Sequence, residues 1–400
     1  MVEMTKGVGL APKEAPAAIK KSKHSLVIGL PLEKTAQEKR VVLTPDAVRL
    51  LVNNGQTVYV ETNAGKQSKF SDREYSDAGA KVVYSSKEAF DAEVVLKVEP
   101  ATEDEIEFMR SGACLISALQ LGKQKAEFIH ALNRKRITAV SFEHLEDKVG
   151  GMPVVRAMSE IAGSTVMLIA AEYLSSVNDG KGLILGGVTG VPPTEVVIIG
   201  AGTVAEYAAR TALGLGASIK VFDNHIYKLR RIKQLLGQQV FTSTIDNFTL
   251  AQAVKEADVV IGALRVEKGR NKVVVSEEMV AAMMDGSILI DVSIDQGGCI
   301  ETAEMTSHEK PIYEKHGVIH YCVPNIASRV ARTASVALSN IFTPILLQMA
   351  DLKGAEEMIF NYKWFMKGVY TYRGSLTNAH LARKFAMTHK ELQLLLAARY

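Results

Sequence analysis

The chain has 400 residues, 47 Lys and Arg against 44 Asp and Glu, a net charge of +3 and 47% hydrophobic residues. That is enough material for two or three domains with real cores, and its charge balance gives no case for nucleic-acid binding. Cys114, Cys299 and Cys322 are odd in number and lack C-x-x-C spacing, which fits buried apolar residues in a reducing compartment and argues against structural zinc; no metal site is expected.

Residues 1–24 hold five lysines but no apolar core, and the first arginine is Arg40, so they read as a flexible tail rather than a signal or transit peptide. From Ser25 onward, strand-like and helix-like pieces alternate. SLVIGL (25–30) is a buried strand, and Thr44-Pro45-Asp46 opens a helix that ends near Gly55. TVYVET (57–62), AKVV (80–83), EVVLKV (93–98), CLISAL (114–119) and TAVSF (138–142) follow, with helices between them. Pro153 to Val177 predicts one long helix, after which Gly180 to Gly190 and Pro192-Pro193 break regular structure. QVFTST (239–244), DVVIGAL (258–264), SILIDVS (287–293) and VIHYCV (318–323) continue the strands. Ala331 to Leu352 predicts a second long helix, and Met358 to Tyr400 reads as helical and peripheral. Val336 to Ala350 is the most apolar long segment, yet Ser339, Asn340, Thr343 and Gln348 interrupt it, so no membrane span is expected.

This alternation predicts an α/β fold of two Rossmann-type, doubly wound parallel-sheet domains with a cleft between them. The two long helices are the expected crossings. Residues 25–153 plus 331–400 would form a discontinuous substrate domain, and 154–330 a nucleotide-binding domain.

The strongest local signal is EVVIIGAGTVAEYAARTALGLGASIKVFD, Glu195 to Asp223. An apolar strand runs into Gly200-Ala201-Gly202, a helix follows, and a second strand ends on an acid 21 residues after Gly202. This G-x-G-x-x-A pattern, in its strand–turn–helix context, is a dinucleotide fingerprint. Gly200 makes the tight turn, Gly202 admits the pyrophosphate, and Thr203 and Val204 begin the helix whose positive end faces it. Asp223 is placed to accept hydrogen bonds from a ribose, and its charge repels a 2′-phosphate, so NAD is favoured over NADP.

Several stretches together resemble the alanine dehydrogenase and pyridine nucleotide transhydrogenase α-subunit family. They are KRVVLTPDAV (39–48), FSDREYSDAGA (70–80), MSEIAG (158–163), GGVTGVPPTEVVIIGAG (186–202), DVVIGAL (258–264), DVSIDQGGCIET (291–302) and HYCVPNI (320–326). The alanine dehydrogenase branch fits better. The transhydrogenase branch carries an Arg/Gln/Asp loop before its long helix, where this chain reads Val149-Gly150-Gly151-Met152-Pro153.

The resemblance implies NAD-dependent oxidative deamination of L-alanine, or a related small amino acid, to the 2-oxo acid and ammonia, and the reverse. It places Arg40 at the substrate carboxylate, where a guanidinium can bind bidentately, and Asp295 at the active site. Ser159 matches a position near the nicotinamide or pyrophosphate, and Asn325 and Ile326 match a segment over the nicotinamide ribose. Lys228, just after Asp223, would border the adenosine, although a solvated helix charge is an equally good reading.

Two positions depart from the family pattern. The family's catalytic histidine lies in a Leu-His-Leu segment, and here the text is Leu119-Gln120-Leu121. Glutamine hydrogen-bonds but does not exchange protons near neutral pH. The family's K-V-K-E-P is one residue shorter, Lys97-Val98-Glu99-Pro100, so the substrate-binding lysine is either lost or replaced by Lys97. His144 is the histidine nearest Gln120 in sequence and is expected to cap the loop after TAVSF; His320 is expected to be a core residue. The remaining expectations are a cytoplasmic homo-oligomer, dimer or hexamer, with no membrane partner. The alternatives are a transhydrogenase-like NAD(H)-binding subunit that docks another protein, and a non-catalytic NAD-binding homologue.

Overall fold

The computed structural model describes residues 24–265 and 272–397; all but His24 of the expected tail, and the last three residues of the expected first domain, lie outside them. The apolar runs become strands. β1 (Val27–Leu30), β2 (Thr57–Glu61), β3 (Lys81–Val83), β4 (Val94–Leu96), β5 (Cys114–Ser117) and β6 (Thr138–Ser141) form one parallel sheet in the order β6-β5-β4-β1-β2-β3. β7 (Glu195–Ile199), β8 (Ser218–Phe222), β9 (Phe241–Ser243), β10 (Val259–Gly262), β11 (Ile288–Asp291), β12 (Ile312–Lys315) and β13 (Val318–Tyr321) form the second sheet, ordered β12-β13-β11-β10-β7-β8-β9. Only β12 runs antiparallel there. Each sheet reverses its winding once, between β1 and β4 and between β7 and β10. Ligands of open α/β sheets bind at the strands' carboxyl ends beside such a reversal.

The C-terminal segment corrects the sequence reading. Helices occupy Ala355–Asn361, Lys363–Met366, Ala379–Phe385 and Leu392–Ala397, but β14 (Val369–Tyr372) and β15 (Ser375–Leu376) lie between them. They extend the first sheet beyond β6 as an antiparallel hairpin. Valine, tyrosine and threonine suit a buried strand. Arg373 and Gly374, with φ of 48° and 83°, make the two-residue turn that matches strand twist.

The helix Pro153–Leu174 packs along the helix Thr203–Gly214. Gly163 makes the approach possible, because a Cβ there would lie 2.4 Å from the Val204 carbonyl oxygen. The helix Ala331–Asp351 drives Leu338, Phe342 and Leu346 into the core of the first sheet beside Ile28, Val58 and Ile116. By length and composition Pro153–Leu174 and the helical stretch Ile326–Asp351 are apolar enough to cross a membrane, with 44% and 50% of their most apolar windows buried in the protein, a test that the core helix of a soluble protein also passes. The polar interruptions are weaker than they read. Ser339 and Thr343 donate back to the carbonyls of Ser335 and Ser339, at 2.8 and 2.6 Å, and Ser339 Oγ also accepts the Thr44 N–H at 2.8 Å. All three cysteines are free and buried. His320 is a core residue, held by Thr302 Oγ1 at 2.8 Å and the Val318 carbonyl at 2.9 Å.

Candidate active site

The carboxyl end of β7 turns at Gly200, whose φ of 114° suits glycine; a Cβ there would meet the Ala263 carbonyl oxygen at 2.5 Å. Gly202 caps the following helix without a side-chain hydrogen bond, and a Cβ on it would meet nothing within 4 Å. The space beside Gly202 is therefore open, and the first amides of the helix, at Thr203 and Val204, have no intrahelical partner, a combination that suits an anion. Ser159 lies one turn before Gly163, on the helix that crosses this N-terminus.

Asp223 is buried at the end of β8. One carboxylate oxygen accepts the Ala201 N–H at 2.8 Å, while the other accepts the His225 N–H at 2.8 Å and lies 2.9 Å from its Nδ1. The acid thus ties the glycine turn to β8, and a ribose hydroxyl has to share it with His225. Lys228 is half-buried and lies 6.0 Å from the Tyr227 ring centre.

The residues expected on the substrate side lie beyond the carboxyl ends of strands in the first sheet. After β1, Arg40 is gripped by Glu38 through Nε–Oε1 at 2.7 Å and Nη2–Oε2 at 2.6 Å, while its Nη1 lies 3.2 Å from Met158 Sδ. Burial alone would raise the Glu38 carboxyl; the Arg40 guanidinium outweighs it and holds the group below the usual carboxylate range. Glu38 also accepts Asn325 Nδ2 at 2.9 Å, which joins the two sheets across the cleft. Asn325 takes a left-handed φ of 60°, and Ile326 after it is buried.

Lys97, just past β4, has 3% of its side chain exposed. Its ammonium contacts Glu33 at 2.9 Å and Glu105 at 3.8 Å. Burial raises the Glu33 carboxyl to about 7 in spite of Lys97. A substrate contact through Lys97 requires Glu33 to share it.

Gln120 follows β5 with a φ of 44°, a left-handed conformation uncommon for glutamine. Its N–H donates to Glu143 Oε2 at 3.2 Å. Lys384, from the C-terminal segment, clamps the next turn by donating to the carbonyls of Leu121 and Gly122 at 3.1 and 2.8 Å. Opposite, at the end of β11, Asp291 is buried and bonded to Ser293 and Cys299, which makes it structural. Asp295 lies on the short 3-10 turn Ile294–Gln296 and stays exposed to solvent. Crowding by the surrounding protein raises its pKa, against the pull of Lys123 and Arg265. Asp295 therefore shares a neighbourhood with the turn after Gln120.

Family models identify this arrangement. The alanine dehydrogenase/PNT N-terminal domain matches residues 29–162, and the C-terminal domain of the same family matches 166–379. The chain belongs to the alanine dehydrogenase/PNT family. Among its members, an alanine dehydrogenase of Methanococcus maripaludis is 39% identical over 90% of this chain and 96% of the relative. Alanine dehydrogenase 2 of Staphylococcus aureus is 37% identical over 92% and 98%. The solved structure of an L-alanine dehydrogenase superposes with a TM-score of 0.85 at 37% identity, covering 90% of this chain and 99% of that one. A transhydrogenase from Sinorhizobium meliloti gives 0.76 at 25% identity, covering 88% and 99%.

Four charged residues of this family member escaped the sequence reading: Glu33, Glu38, Glu143 and Arg265. Glu38 stands two residues before Arg40, the one signal that could have flagged it. The others reach the site through contacts between segments far apart in the chain.

Proposed function

We propose that the protein catalyses the NAD-dependent oxidative deamination of L-alanine to pyruvate and ammonia, and the reverse reductive amination. The observation that carries this is the 37–39% identity, over nearly the whole chain, to relatives named alanine dehydrogenase. Gly200, Gly202 and the open helix N-terminus at Thr203 and Val204 fit a pyrophosphate, and Asp223 stands by the ribose position. Ser159, Asn325 and Ile326 border the nicotinamide side, and Lys228 the adenosine side.

Bound NAD supplies the hydride acceptor. Arg40, oriented by Glu38, holds the substrate carboxylate with the guanidinium edge that Glu38 leaves open. Asp295 accepts a hydrogen bond from the substrate nitrogen or from the attacking water. Gln120 donates from its side-chain amide to the oxo oxygen. Lys97 acts by holding Glu33 beside Arg40. The substrate domain comprises 25–153 and 331–400, the nucleotide domain 154–330, and the cleft between them closes on the substrate. The enzyme works in the cytoplasm as a homo-oligomer, without a membrane partner.

The test is a panel of 2-oxo acids with ammonia and NADH, followed at 340 nm. Pyruvate should be the preferred substrate. Turnover of a different oxo acid alone would move the assignment within the amino-acid dehydrogenases. NADH binding with no turnover at all would favour the non-catalytic reading.

A further inference from the structure

The register of the first sheet places an imidazole just beyond the strand next to that of Gln120. β5 and β6 run parallel with Ser117 opposite Ser141. Gln120 and His144 each stand three residues beyond that pair, so they leave adjacent strands at equivalent positions on the carboxyl edge. Their surroundings are joined as well. Glu143 Oε2 accepts the Gln120 N–H at 3.2 Å and lies 3.3 Å from Ser141 Oγ, which in turn is 3.0 Å from His144 Nδ1.

A serine hydroxyl carries one hydrogen. Donated to the Glu143 carboxylate, it leaves Ser141 Oγ to accept from Nδ1–H, which places the imidazole lone pair on Nε2. Among the described residues Nε2 has no hydrogen-bond partner, and His144 is exposed to solvent. The groups around the ring are Glu143, Arg265 from the end of β10, and Tyr370 of β14, whose ring centre is 5.3 Å away. Arg265 also acts on Asp295, so the ring on the first sheet and the acid on the second lie within the influence of one guanidinium. Desolvation by the groups packed against the ring and the Arg265 charge both lower the His144 pKa, against Glu143, which favours the neutral ring with a free lone pair.

We propose that His144 is the general acid–base of the deamination, in place of an imidazole at position 120. This rests on the alanine dehydrogenase reading. Once the iminium of pyruvate has formed, water adds to its central carbon and Nε2 takes one water proton, giving the neutral carbinolamine. The imidazolium returns that proton to the nitrogen. The C–N bond then breaks, its electron pair leaving with ammonia, and the hydroxyl proton passes to that ammonia. The products are pyruvate and an ammonium ion, with the ring neutral again.

The experiment combines kinetics with ¹⁵N NMR of the histidines, the His144 signals being those lost in His144→Gln. The expected spectrum shows the Nδ1–H tautomer, a pKa below about 6.5, and a shift on adding NADH and pyruvate without ammonia. His144→Gln should lower kcat by about 10²–10⁴-fold, remove the acidic limb of the pH profile and keep the wild-type Kd for NADH. Should that variant not fold, Ser141→Ala keeps the ring and frees its anchor, and is expected to populate the other tautomer and lower kcat. Wild-type turnover and pH profile in His144→Gln, or a ring unmoved by pyruvate, would overturn the proposal. If the wild type turns over no 2-oxo acid, the alanine reading fails on its own, and the response of the ring to pyruvate still decides whether Nε2 faces the ligand.

Discussion

Glu38 holds Arg40 in a two-pronged ion pair, with 0% and 11% of their side chains exposed. In the proposed site the substrate carboxylate would thus meet a cation that is already oriented, and a third group, Asn325, leans on the same acid. Removing one partner of a buried pair strands the other charge, which costs about 3–5 kcal/mol. We expect Glu38→Ala to lose that much stability in urea unfolding. Arg40→Ala should raise KM for alanine with little change in the Kd for NADH. Because the Glu38 pKa is depressed on folding, its contribution is present above the unfolded value, near ~4.3, and is lost as pH falls through the lower, folded value. Acid unfolding should begin at higher pH in Glu38→Gln than in the wild type; coincident acid transitions would refute the pairing.

The two fingerprint glycines should separate by experiment. At Gly200 both the positive φ and the Ala263 carbonyl oppose a side chain, so Gly200→Ala should lower the melting temperature. At Gly202 a Cβ meets open space, so Gly202→Ala should melt like the wild type and bind NADH more weakly. Equal effects of both on melting would contradict the open helix N-terminus.

Asp223 predicts a preference for NAD(H) over NADP(H) of at least about tenfold, or ~1.4 kcal/mol. Its hydrogen bond to Ala201 adds a second expectation. Asp223→Ser should narrow the preference and also weaken NADH binding overall, because the glycine turn loses its tether. Calorimetric titration of both nucleotides reads the two effects separately.

Glu33 carries the opposite sign from Glu38. Its folded pKa of about 7 lies above the unfolded value, so the folded state binds more protons between the two. Stability contributed by this group falls as pH rises from about 4.5 toward 7. Denaturant midpoints should drop across that window in the wild type and stay flatter in Glu33→Gln. A wild-type midpoint that rises throughout the window would contradict this.

What the sequence revealed follows from how local each signal is. Val196–Ile199 with Gly200, Gly202 and Asp223 compresses a whole binding element into one short stretch, and the buried runs such as Cys114–Ser117 announce parallel strands without ambiguity. β12 was missed because its residues only alternate between exposed and half-buried at an antiparallel edge. β14 was read as helix because its Val-Tyr-Thr-Tyr sequence lies among helix-forming neighbours. The long-range polar contacts at the site were illegible for a different reason. Asn325 meets Glu38 across 287 residues of chain, and Lys384 meets Leu121 across 263, so no spacing rule connects them.

The β14–β15 hairpin also sets an order of assembly during synthesis. The second sheet uses only residues 195–321 and can close while the rest of the chain is still being translated. The first sheet must wait. Its β6 edge stays uncovered until Val369–Tyr372 emerges, and Leu338, Phe342 and Leu346 reach its core late as well. A ribosome-stalled chain ending before residue 369 would therefore display a folded nucleotide half beside an unfinished, adhesive sheet, the state in which a nascent-chain chaperone has most to do.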